Sequence, residues 1–189
     1  MKKKSNKIGF KKPFSVGDLR TTGAVDAAVV QFGTEKSFLY ELLNLIEDSD
    51  PGTRMRAFDA LEKVTRSKDC LLSQKQIEKI FELGFECEQQ EVLWHWCQII
   101  PRLTLTKIQI DDAFRRMNAL RGSKSKIVWT FALQGMFDLA LTNPSLKTQA
   151  CLAIEEDIKK GPASVKARCR RIIKSSKQKI DRFSTNRKL

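Results

Sequence analysis

The chain is poor in the residues that build catalytic and metal centres. It has one histidine, His95, and five cysteines, Cys70, Cys87, Cys97, Cys151 and Cys169. An odd number of cysteines, widely spaced and without a Cys-x-x-Cys pair, argues against a disulfide framework. Several fall among apolar residues at helical spacing, as buried thiols do. That points to a reducing compartment, most simply the cytoplasm. His95 lies near Cys87 and Cys97, but the spacing fits no zinc pattern, so no metal is expected. There is no Gly-x-Ser-x-Gly, no glycine-rich phosphate loop and no His-Glu-x-x-His. No catalytic residue and no cofactor is therefore assigned, and the chain does not read as an enzyme. No apolar run approaches the ~20 residues of a membrane helix. The basic start Met1–Lys7 is followed by no apolar stretch, so a secretory signal is not expected.

What is present is ordinary for a soluble protein. Of 189 residues, 41% are hydrophobic and 30% charged, enough to bury a core in one domain. The net charge of +13 is unevenly spread. Residues 1–20 carry +6, residues 159–189 carry +11, and residues 21–158 carry −4. Strongly basic ends on a mildly acidic body suit nucleic acid, anionic lipid or an acidic protein, or serve only for solubility.

Residues 1–20, interrupted by Gly9, Pro13 and Gly17, read as a flexible arm with Phe10 and Phe14 as anchors. The run Val25 to Phe32 permits a short helix before Gly33. Apolar spacing then predicts helix pairs. Residues 35–48 pair with 51–66 across Asp50-Pro51, where Asp50 suits an N-cap and Pro51 the first helical turn. Ser73 caps a helix to about Cys87, carrying Ile77, Ile80, Phe81 and Phe85. Its partner holds Val92, Trp96, Ile99 and Ile100 and closes at Pro101. Thr106 caps a helix that Arg121-Gly122-Ser123 breaks, and its partner runs from Lys124 to Leu141. Asn143-Pro144 opens a helix to Lys160, and Gly161-Pro162 restarts the chain into a last helix with Val165, Cys169, Ile172 and Ile173.

Met55, Val92, Ile127 and Val165 each sit about five residues past a corner, at separations of 37, 35 and 38. The pattern apolar, +4, +7, +8 holds at Val92 and again at Val165, while Asp59 interrupts it in the first pair. With the Asp-Pro corner and its small-hydrophobic-basic continuation, this resembles a HEAT repeat, of the armadillo type. Gly161 to Arg168, read Gly-Pro-Ala-Ser-Val-Lys-Ala-Arg, is similar to the opening of the last helix in short bacterial HEAT-like proteins. The resemblance implies an all-α fold, an α-solenoid of about four HEAT-like pairs over residues 35–178. Residues 1–34 form the arm and 179–189 a basic tail. An ordinary all-α bundle is the structural alternative.

In the last helix, Lys166, Arg170, Lys174 and Lys177 lie on one face, flanked by Arg168 and Arg171, opposite the apolar stripe. This basic face is the expected binding surface for a polyanion or partner. Trp94 and Trp96 diverge on their helix, so one of them is a candidate contact for a partner; alternatively both pack between repeats. Asp111-Asp112 and Glu155-Glu156-Asp157 read as solvated acidic faces or as groove acids. HEAT-like DNA glycosylases place aromatic residues and an Asp near the lesion, and the tryptophans, Trp129 included, raise that comparison, but no spacing supports it. The expected function is a non-enzymatic binding or adaptor module for another protein, since a solenoid offers an extended surface. The alternative is a nucleic-acid-binding protein that uses its basic ends.

Overall fold

The computed structural model describes residues 14–15, 21–22, 24–67 and 72–185, with side chains as far as residue 176. Among them every regular element is helical and no strand occurs. We number the helices α1 (Val25–Phe32), α2 (Lys36–Leu45), α3 (Pro51–Val64), α4 (Gln74–Glu86), α5 (Gln90–Ile99), α6 (Lys107–Leu120), α7 (Lys126–Thr142), α8 (Lys147–Lys160) and α9 (Ala163–Thr185). The chain divides into two compact units, residues 1–102 and 103–189. The first unit closes in a 3-10 turn, Ile100–Arg102, rather than in a helix stopped at Pro101.

In the first unit α3 is central, with α1, α2 and α5 packed on it and α4 on α5 and α2. The Asp50-Pro51 corner forms as expected. Asp50 Oδ2 accepts from the Thr53 backbone N–H at 2.7 Å and from the Thr53 hydroxyl at 2.8 Å, which holds its pKa below the usual value. Helix α3 is buried on nearly every side, and that burial includes Arg56, Asp59 and Glu62. Charges are tolerated there because each is paired. Arg56 donates to the Phe14 carbonyl at 3.0 Å and the Thr21 carbonyl at 3.2 Å. Phe14, fully buried beside Phe38, is thus the anchor expected of it, whereas Phe10 lies outside the described residues. Asp59 accepts from Lys63, which also meets Asp26. Glu62 binds Arg66 at 2.6 Å and Arg102 at 2.7 Å. Asp59 therefore breaks the apolar pattern without breaking the helix: its position faces ion partners instead of aliphatic ones.

In the second unit α6 packs on α7, α7 on α8 and α9, and α8 on α9. Thr106 and Gln109 cap α6 reciprocally, as Ser73 and Gln76 do for α4. Gly122, in the left-handed region at φ +84°, turns the chain from α6 into α7. Asn143-Pro144 opens a single 3-10 turn, Pro144–Leu146, before α8 begins. Helix α9 continues to Thr185, past the boundary drawn at residue 178.

Burial moves one of the four recurring apolar positions by one residue. Ile127 is 49% exposed and its neighbour Val128 only 1%. The buried positions are Met55, Val92, Val128 and Val165, at separations of 37, 36 and 37. Helix α7 is apolar around most of its circumference, so the choice between the adjacent Ile127 and Val128 is not fixed by apolar spacing alone.

Candidate functional site

Helix α9 owes its docking to Val165, Cys169 and Ile172, all buried. Around the rest of its circumference it is basic. Arg170, Arg171 and Lys174 are exposed, and Lys166 is half-buried. Among the described residues none of these four forms an ion pair with a carboxylate. Lys177 falls on the same helix, but its side chain lies outside the described residues.

Arg168 does not project into solvent with the others. Its guanidinium lies over the Phe131 ring of α7, 4.9 Å from the centroid, and donates to Gln134 Oε1 at 3.4 Å. Burial, and then the charge of Arg171, push its pKa below the ordinary value, against a smaller opposing pull from Asp138. Arginine so shifted remains cationic at neutral pH. Arg168 is therefore a seam residue, and it makes the outer surfaces of α7 and α9 contiguous. On the α7 side Ile127, Phe131, Gln134, Asp138 and Leu141 share one face. Ile127 and Leu141 are about half exposed, and Gln134 Nε2 donates to Asp138 at 2.9 Å. No sequence expectation singled out this stripe. The available signal was Gln134 and Asp138, polar residues at i and i+4 on an otherwise apolar helix, which mark its outward side.

Behind the seam lies a polar cluster. Asp157 is 3% exposed. It accepts from Arg121 Nε at 3.0 Å, from Arg121 Nη2 at 2.8 Å and from Trp129 Nε1 at 2.7 Å. Arg121 also binds Glu156, whose pKa is lowered chiefly by that bond and then by Lys160. Lys126 stands over Trp129, 5.4 Å from the centroid. The acidic run at 155–157 thus splits: Asp157 points inward and ties α6, α7 and α8 together, while Glu155 and Glu156 are solvated. A tryptophan and an aspartate do meet here, and both carboxylate oxygens are occupied by donors.

Of the two candidate tryptophans, Trp96 is fully buried, so the partner contact expected there is corrected. Its indole donates to the Phe81 carbonyl at 3.2 Å and packs on Phe81 and Phe85. Gly84 makes room for it: a Cβ at that position would lie 1.8 Å from Trp96 Cδ1. Trp94 is half-buried, against the His95 ring at 5.6 Å. Burial lowers the His95 pKa to about 4, and its Nδ1 has no hydrogen-bond partner among the described residues.

A cleft of about 280 Å³ in the first unit is lined by Ile46, Phe58, Leu83 and Val92, with Arg54 and Cys87 at its edge. The Arg54 nitrogens are committed to the Asp48 and Ser49 carbonyls and to Gln89. Among the described residues no three His, Cys, Asp or Glu side chains gather as a metal site would require. No helix there is long and apolar enough to cross a membrane. No protein-family model, curated protein or solved structure matches this chain.

Proposed function

We propose that this chain is a non-enzymatic binding module, an adaptor of HEAT-like helical pairs that engages another protein in the cytoplasm. The observation that carries this reading is the contiguous outer face of α7 and α9, where cationic and half-exposed apolar side chains lie together. A surface of that mixed composition suits a protein partner, whose interface has an apolar centre and a polar rim. The near-regular period of buried positions supports the repeat architecture. The free thiols at Cys87, Cys97, Cys151 and Cys169 support a reducing compartment. A second reading, nucleic-acid binding, is favoured by Arg170, Arg171 and Lys174, which are exposed and without carboxylate partners among the described residues. Affinity capture from native lysate, run with and without nuclease, separates the two. The adaptor reading expects discrete proteins that survive nuclease treatment; material that vanishes with nuclease supports the second reading instead.

A further inference from the structure

We infer that the seam between α7 and α9 is the docking site for an acidic amphipathic helix of a partner protein, a proposal that rests on the adaptor reading. The floor is the α7 stripe. Ile127 and Leu141 are 49% and 48% exposed, and the half-buried Phe131 lies between them. Three apolar side chains along one open helix face form a track for apolar groups spaced at helical intervals. The wall is cationic: Arg168 covers Phe131 and Arg171 follows one turn later, while Lys174 extends the positive charge onto the outer face of α9. Asp138, the carboxylate on the stripe, accepts from Gln134 and has its charge faced by Arg168. The complementary occupant presents apolar residues to the floor and carboxylates to the wall. A nucleic-acid backbone meets the wall but gains nothing from Ile127 and Leu141, because phosphate contacts are polar and electrostatic.

The probe is a fluorescein-labelled peptide of about five helical turns, with leucines at i, i+3, i+4 and i+7 and glutamates elsewhere. Its controls are an isomer of the same composition with the leucines dispersed and a labelled DNA duplex, all titrated against the full chain at physiological salt. The patterned peptide should bind at least about tenfold tighter than its isomer. The pair Ile127→Ser with Leu141→Ser, and the pair Arg171→Glu with Lys174→Glu, should each weaken it about tenfold. Helical circular dichroism should be unchanged, because these four side chains are exposed. Equal binding of the isomer overturns the proposal, as does binding that neither pair affects. Tight binding of the duplex with none of the patterned peptide overturns it in favour of nucleic acid. If no probe binds while nuclease-resistant capture from lysate persists, the docking site is wrong and the adaptor reading stands. If capture also fails, both fall.

Discussion

His95 gives this protein a built-in acid sensitivity that a single substitution should remove. The imidazole is partly buried on α5 with its Nδ1 enclosed, and its pKa falls from an ordinary 6.5 to about 4 chiefly because desolvation disfavours the cation. Asp59 and Glu62 pull it upward and Lys63 and Arg66 push it down more weakly, but desolvation is the largest influence. The unfolded chain accordingly takes up a proton more readily than the folded one. Stability is full above pH 6.5, declines as the pH falls, and has lost the whole contribution by about pH 4. A shift of that size corresponds to about 3 kcal/mol in total, of which about 2 kcal/mol is lost by pH 5. For a chain of this length that is a fall in Tm of roughly 4–8 °C between pH 7 and pH 5. The carboxylates with lowered pKa values, Asp50, Glu62 and Glu156, contribute stability that is present above their ordinary pKa and is lost as the pH falls through it toward the folded value, so the interval from pH 7 to 5 reports mainly His95. His95→Leu removes both the titrating group and the unpartnered Nδ1. Thermal melts of both proteins at pH 7, 6 and 5 should show a falling Tm for the wild type and a nearly flat one for the variant. Because His95 is the single histidine, its imidazole resonance can be titrated directly. Parallel melting curves, or a titration midpoint at 6 or above, would refute the buried neutral imidazole.

Two further substitutions test the packing. Gly84→Ala adds a methyl group into the Trp96 ring, and that overpacking should cost about 1–3 kcal/mol, exceeding the ~1 kcal/mol that alanine gains over glycine in a helix. A urea midpoint at or above that of the wild type would contradict this. Asp157→Ala strands the Trp129 indole N–H and Arg121 Nε, while Arg121 keeps Glu156, and should cost about 1–3 kcal/mol, with Asp157→Asn milder; equal midpoints for wild type and Asp157→Ala would show that the cluster is solvated.

The local signals in the chain were strong where backbone chemistry dictates the outcome. The Asp50-Pro51 corner, the Ser73 and Thr106 caps and the Gly122 break each depend on one or two residues acting on their neighbours, and each forms where expected. Registers and pairings were harder to read. Ile127 and Val128 are equally apolar, and only the packing of α7 decides that Val128 turns inward. The burial of Arg56 and Glu62 was hidden because Phe14 and Arg102, which satisfy them, are distant in sequence, whereas Asp59 pairs with Lys63 four residues on. Trp96 was ambiguous for the same reason, since its socket depends on Gly84, twelve residues earlier. The basic face of α9 was legible from spacing, but the role of Arg168 as a bridge to Phe131 depends on a contact between helices and has no mark in the sequence.

The most direct test places a photoreactive benzoylphenylalanine at position 171 on α9, with position 152 on α8 as the control. Leu152 is 60% exposed and lies off the proposed face, so the two sites are comparably accessible. Cross-linking in native lysate after nuclease treatment should give a discrete protein adduct from position 171 and none from position 152. Adducts of equal yield at both positions, or none at 171, would contradict the claim that this protein is an adaptor working through the α7–α9 face.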